Sequence, residues 1–155
     1  MNAGDFPVLS APQRPLVLAT DLDGTFLGGS DEQRAQLYGW IDAHRAHVTL
    51  VFVTGRDLPF IRDLVRDTNV PAPDYVIGDV GTTIAGGAGI EPMEALERPI
   101  AQQWGDAGAR MHALLKDEPG LRLQDTPFRY RLSYFYEPAL LSPDTARKVR
   151  DAGFD

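Results

Sequence analysis

Apolar and polar positions along the chain fall into short blocks whose period switches between that of a strand and that of a helix. Leu16-Val17-Leu18-Ala19-Thr20 is a continuous apolar run, bounded by Pro15 and by Asp21-Leu22-Asp23-Gly24-Thr25. A short run without alternation suits a strand buried on both faces, as in parallel sheets. After Gly28-Gly29, Ser30 and Gln33 form a capping box, and Leu37, Trp40, Ile41 and His44 recur at helical spacing, which predicts a helix over 31–44. Val48 to Thr54 is a second apolar run, rich in β-branched residues and closed by Gly55-Arg56. Asp57 as N-cap and Pro59 in the first turn open a second helix with Phe60, Ile61, Leu64 and Val65 on one face. Asn69-Val70-Pro71 ends that helix, and Asp74 to Ile77 makes a third short strand running into Gly78-Asp79-Val80-Gly81-Thr82-Thr83.

Beyond Gly89 the pattern changes. Pro99, Ile100, Trp104, Ala107, Met111, Leu114 and Leu115 predict one longer amphipathic helix that stops near Pro119-Gly120. Strands are predicted over 121–124 and 129–136, separated by Asp125-Thr126-Pro127, the second with Arg129, Arg131 and Ser133 alternating against Tyr130, Leu132 and Tyr134. Ser142-Pro143 opens a last short helix.

Composition narrows the class. With 155 residues and 43% hydrophobic content the chain can build one compact domain or little more. A formal charge of -7 argues against a broad nucleic-acid surface or an anionic membrane surface. There is no cysteine, so disulfides and thiolate metal sites are excluded, a usage compatible with the cytoplasm. Met1 to Pro15 shows neither a signal-peptide pattern nor a membrane span.

The chemistry concentrates where the first strand ends. Strands of an open parallel sheet place ligands beyond their carboxyl ends, so Asp21 and Asp23 fall on the working edge of the sheet. Residues two apart in an extended segment point to the same side, and such a pair can share a Mg²⁺ ion while Gly24 turns the chain away.

Asp21-Leu22-Asp23-Gly24-Thr25, followed after about thirty residues by Val53-Thr54-Gly55-Arg56, resembles the first two motifs of the haloacid dehalogenase superfamily of phosphohydrolases. With Pro73-Asp74-Tyr75-Val76-Ile77 and Val80-Gly81-Thr82, the pattern is most similar to the sucrose-phosphate-phosphatase-like branch, whose α/β cap follows the third strand. The resemblance implies an α/β fold: a partial doubly wound, Rossmann-like parallel sheet over 15–90, an incomplete α+β cap over 91–155, and an N-terminal tail over 1–14. It implies a Mg²⁺-dependent phosphatase acting on a phosphorylated sugar through an aspartyl-phosphate. Asp21 would be the nucleophile and Asp23 the acid and base, with both as metal ligands. Thr25, Thr54, Gly55 and Arg56 would surround the phosphate, and Asp79 is a further metal candidate. Arg56 either contacts phosphate or braces its loop. Gly81 and Thr82 either face the substrate or only turn the chain, and Arg129 and Arg131 either read sugar hydroxyls or lie on a solvated strand face.

The family completes its site with a later lysine or arginine and an acidic Gly-Asp-x-x-x-Asp motif, neither of which occurs in context here. Lys116 and Lys148 are the only lysines, and both fall in the cap. The chain therefore looks like the N-terminal half of such an enzyme: a truncated product, an excerpt, or one component of a split enzyme whose second chain would supply the rest. A non-catalytic sugar-phosphate-binding or assembly module of the same fold is the alternative. A nucleotide-sugar glycosyltransferase has no need of Thr54-Gly55-Arg56, and a receiver domain would need an acceptor aspartate where Thr54 stands.

Overall fold

The first strand, β1 (Leu16–Thr20), pairs in parallel with β2 (Val48–Val53), and β2 pairs in parallel with β3 (Tyr75–Gly78). The computed structural model describes residues 10–126 and 128–153; most of the expected N-terminal tail and Pro127 of the predicted turn lie outside them. The chain divides into two compact units, 1–93 and 94–155.

In the first unit, two helices connect the parallel strands. Helix α1 (Asp31–Ala43) begins at the predicted capping box, with Gln33 N–H donating to Ser30 Oγ at 3.3 Å and Ser30 N–H to Gln33 Oε1 at 2.9 Å. Helix α2 (Leu58–Asp67) is capped by Asp57, whose carboxylate accepts the Phe60 N–H at 3.0 Å. Tyr38 and Ile41 of α1 and Leu58 and Ile61 of α2 are buried with Val48, Leu50 and Phe52 of β2, Val76 of β3, and Leu22 and Phe26. Alternation along β2 puts those three residues on a single face, so both helices cover the same side of the sheet.

The sequence pattern missed a hairpin. After β3 the chain turns back as β4 (Thr83–Gly86), antiparallel to β3, and then as the short β5 (Glu91–Pro92), antiparallel to β4. The sheet is mixed and mostly parallel, in the order β1-β2-β3-β4-β5. The strand β4, Thr-Ile-Ala-Gly, is too short and too rich in small residues to give a period signal.

The second unit departs further from expectation. The single predicted helix is two, α3 (Glu94–Trp104) and α4 (Ala107–Leu115), because Gly105 adopts a left-handed φ of 47° between them. Pro99 lies inside α3 and removes one intrahelical hydrogen bond. Strands β6 (Leu121–Leu123) and β7 (Tyr134–Tyr136) pair antiparallel, with Leu121 opposite Tyr136. Arg129 to Ser133 are thus outside any strand, and the predicted alternation of Arg129 and Arg131 on a strand face is not formed. Arg129 instead pairs with Glu97 at 2.8 Å, and the Arg131 guanidinium lies 3.6 Å from the centre of the Phe128 ring. These local polar and stacking contacts compete with a ladder for the same residues. The last helix is α5 (Thr145–Asp151), where Glu118 accepts from Thr145 Oγ1 at 2.5 Å and from Lys148 Nζ at 2.9 Å.

Candidate active site at the carboxyl ends of the parallel strands

Asp21 follows β1 in an extended conformation, and the next five residues, Leu22–Phe26, form a wide turn in which Asp23 and Gly24 depart from helical dihedrals. That turn is closed by Phe26 N–H donating to Asp21 O at 3.1 Å and Leu27 N–H to Leu22 O at 3.0 Å. Gly24 supplies the left-handed φ of 74° on which the turn depends. Gly28 is needed for a different reason: a Cβ there would lie 2.5 Å from the Gly24 carbonyl oxygen. Leu22 and Phe26 are driven into the core, with Phe26 packed at 4.9 Å from the Tyr38 ring and 5.3 Å from Phe52. Burying Leu22 while its neighbours stay exposed turns Asp21 and Asp23 to solvent together. The spacing predicted this from strand alternation, although here the turn achieves it.

Each carboxylate has a neighbour that orients it. Thr25 Oγ1 donates to Asp21 Oδ2 at 3.1 Å. Arg56 reaches from the loop after β2 and grips Asp23 with two nitrogens, Nε to Oδ2 at 2.8 Å and Nη2 to Oδ1 at 2.9 Å. Its guanidinium also lies 4.4 Å from the Phe60 ring centre. The Arg56 hydrogen bonds hold the Asp23 carboxyl below the usual carboxylate range, and Asp23 in turn raises Arg56. Arg56 thus spans from the loop after β2 to the turn after β1.

Thr54 is almost fully buried at the end of β2, where its hydroxyl oxygen accepts the Arg56 N–H at 3.2 Å. The loop after β3 closes on it: Val80 N–H donates to Thr54 O at 3.3 Å, and Asp79 N–H donates to Arg56 O at 3.0 Å. A Cβ at Gly55 would lie 3.9 Å from Val80 Cγ2, an ordinary contact distance. Asp79 and Val80 hold φ of 51° and 60°, a left-handed strain that a β-branched residue rarely bears, and Val80 is 70% exposed. Gly81 and Thr82 follow on the same edge, with Thr82 Oγ1 donating to Asp79 O at 2.9 Å. Asp79 itself is buried and accepts from Thr83 Oγ1 at 2.6 Å, so part of its carboxylate is committed to holding the loop. The strain at 79–80 and the Arg56 clamp on Asp23 carry no sequence signal; they arise only when the ends of β1, β2 and β3 meet.

Arg129 and Arg131 belong to the second unit, where Glu97, 1% exposed, is the partner of Arg129. That buried carboxylate is a polar feature the sequence pattern did not single out.

A magnesium ion takes few protein carboxylates and fills its octahedron with water and phosphate oxygens. The donor set here fits such an ion through Asp21, whose Oδ1 has no hydrogen bond among the described residues, while Arg56 occupies both oxygens of Asp23. Among the described residues, no group of three acidic or histidine side chains gathers to form a closed metal cage.

An acidic pair beyond β1 and a buried threonine ending β2, on a mostly parallel sheet, define the class: an α/β protein of the haloacid dehalogenase superfamily. A family model described as sucrose-6F-phosphate phosphohydrolase matches residues 14–150, and the chain belongs to that family. It is 39% identical over 123 residues to a glucosylglycerol-phosphate synthase of Pseudomonas anguilliseptica, covering 79% of this chain and 16% of the relative. It is 33% identical over 153 residues to a protein of Nitrosococcus oceani described as a HAD-like hydrolase, covering 91% of this chain and 41% of that one. The sucrose-phosphatase of Synechocystis, solved with sucrose and phosphate, shares the fold with a TM-score of 0.70 at 21% identity, over 90% of this chain and 56% of that one. The chain thus spans well under two thirds of the length of the relatives it matches.

Proposed function

We propose that this chain carries the nucleophile and the acid-base group of a Mg²⁺-dependent phosphatase for a sugar phosphate. The observation that carries the reading is the convergence of Asp21, Asp23, Thr25, Thr54 and Arg56 at the carboxyl ends of adjacent parallel strands. Asp21 attacks phosphorus in line, forming its own carboxyl oxygen to phosphorus bond as the bond to the sugar oxygen breaks. Asp23 gives a proton to that leaving oxygen and afterwards takes one from the water that cleaves the aspartyl-phosphate. Thr25, donating to Asp21 Oδ2, holds the orientation of this carboxylate. Because the Arg56 clamp favours ionised Asp23, the donor step requires Asp23 to leave the guanidinium, and an arriving phosphate dianion competes for that same cation. Thr54 and Gly55 border the phosphoryl group, with Gly81 and Thr82 on the neighbouring loop. A bound Mg²⁺ supplies positive charge that lets phosphate approach carboxylates, held here through Asp21, with Asp23 available once released. The matched relatives bear names that specify sucrose phosphate and glucosylglycerol phosphate, which supports a glycosyl phosphate as the substrate class.

The test is phosphate release from a panel of sugar phosphates with and without Mg²⁺, comparing the chain, alone and with a complementing polypeptide, with Asp21→Asn. Release abolished by the substitution is expected; equal rates in both proteins refute the assignment of Asp21. One observation favours a second reading, a sugar-phosphate-binding module without turnover. Both lysines sit in the second unit, Lys148 paired with Glu118 and Lys116 beside Asp117. Calorimetric binding of a sugar phosphate with no release under any of these conditions would establish it.

A further inference from the structure

Asp79 is a buried carboxylate to which the phosphatase reading gives no step. It is 5% exposed and lies in the loop between β3 and β4, at the sheet edge that carries the acidic pair. Its Oδ2 accepts from Thr83 Oγ1 at 2.6 Å, and Thr83, the first residue of β4, is itself 1% exposed. A buried hydrogen bond between two side chains that hold no substrate group needs another purpose.

The strained backbone beside it supplies one. Asp79 and Val80 both hold positive φ. Aspartate tolerates that conformation, but a β-branched residue keeps it only where its surroundings over-determine it. Here the surroundings are a set of hydrogen bonds. Asp79 N–H donates to Arg56 O, Val80 N–H to Thr54 O, and Thr82 Oγ1 to Asp79 O, while Thr83 Oγ1 closes the set on the Asp79 carboxylate. The first two of these grip the main chain on either side of Gly55. The approach is close: a Cβ at Gly78 would lie 3.0 Å from Arg56 O. Residues 54–57 belong to neither β2 nor α2, so the loop after β3 fixes where the Arg56 main chain stands. That placement sets the direction from which the guanidinium meets Asp23. A two-point pair tolerates little displacement, since both N–H groups must stay aligned with their oxygens.

We propose that Asp79 is a positioning residue. Its buried carboxylate, bonded to Thr83, holds the strained turn at Asp79-Val80, and that turn sets the Thr54-Gly55-Arg56 main chain so that Arg56 meets Asp23 through both Nε and Nη2. That this alignment serves turnover rests on the phosphatase reading; the alignment itself does not.

The test reads Arg56 directly, by nitrogen-15 NMR of the full chain without substrate. It follows exchange of the Arg56 Nε–H with water and the separation of the Nη signals, which a two-point pair keeps apart by slowing rotation of the guanidinium. Asp79→Ala and Thr83→Val each remove the buried hydrogen bond. Both should speed Nε–H exchange at least about tenfold and merge the Nη signals. Asp79→Asn keeps an acceptor and Thr83→Ser keeps a donor, so both should retain the wild-type signals. Ile41→Val trims the core from α1, away from this loop, and should lower stability while leaving the signals unchanged. Wild-type signals in Asp79→Ala and Thr83→Val overturn the inference, and so does an equal loss in Ile41→Val, since lowered stability alone would then explain it. Gly78→Ala pushes a methyl against Arg56 O with the Asp79 pair intact and should disturb the same signals; unchanged signals there overturn the inference even if the other variants do not fold. Because Arg56 is read without turnover, failure of the inference and failure of the phosphatase reading are told apart.

Discussion

Leu22 separates the two exposed aspartates and is itself 0% exposed, so the turn that carries them is fastened to the core through this side chain and Phe26. Leu22→Ala removes that fastening. A buried leucine truncated to alanine loses its transfer free energy and leaves a void, together about 3–5 kcal/mol. Against a total stability on the order of 5–15 kcal/mol, this is a large fraction. With a urea dependence of about 1–3 kcal/mol per molar, the midpoint should fall by roughly 1–5 M. Trp40 lies in the first unit and Trp104 in the second, so Trp40 fluorescence in a Trp104→Phe background reports the relevant transition. Leu22→Met conserves volume and should cost less than about 1.5 kcal/mol. Val17→Ala, at a largely exposed position, should stay within about 0.5 kcal/mol in the isolated chain. A loss below about 1 kcal/mol for Leu22→Ala would refute the claim that this residue anchors the turn.

Two glycines should respond with opposite signs. Gly39 lies inside α1 with open space where an alanine methyl would go, so Gly39→Ala should raise stability by about 0.5–1 kcal/mol, whereas Gly28→Ala pushes a methyl against the Gly24 carbonyl and should lower it in the same denaturation assay. Tyr38 Oη donates to the Phe26 carbonyl at 2.7 Å, and Tyr38→Phe, which leaves that buried acceptor unmatched, should cost about 1–3 kcal/mol by thermal unfolding. Asp23 has a depressed folded pKa, so its pairing with Arg56 contributes fully above the unfolded aspartate value of about 3.9 and fades as pH falls through the lower folded value. Carbon-detected titration of the Asp23 carboxyl should show its midpoint rising in Arg56→Ala; an unchanged midpoint would contradict the clamp.

Much of the first unit was legible because its elements carry strong local signals. The capping box at Ser30, the Asp57 cap with Pro59, and the β-branched run of β2 each point to one structure by mechanism. The hairpin β4-β5 was not legible, since a four-residue strand gives no period and the pairing with β3 is a tertiary fact. In the second unit the apolar spacing of 99–115 fits one helix, and only the conformation of Gly105 divides it. Arg129 to Ser133 show strand-like alternation, yet Glu97 and Phe128 engage the two arginines outside a strand. At the site, motif spacing brings Asp21, Asp23, Thr54 and Arg56 to one edge. The partner of each polar group depends on side-chain reach across loops, which spacing does not encode.

The electrostatics of that edge bear directly on the proposed chemistry. Asp21 and Asp23 stand side by side with Arg56 already bonded to one of them, on a chain whose formal charge is -7. A phosphate dianion brought to this edge adds like charge, and each unit pair at 4 Å is worth about 4 kcal/mol at an effective dielectric near 20. If Arg56 turns to the phosphate, Asp23 loses its partner; if it stays, the phosphate gains none from it. A single guanidinium cannot neutralise both, so the proposed reaction needs further positive charge beside Asp21, the charge that a Mg²⁺ held there would supply. Such charge would let Arg56 exchange Asp23 for phosphate, freeing Asp23 to take up and give a proton.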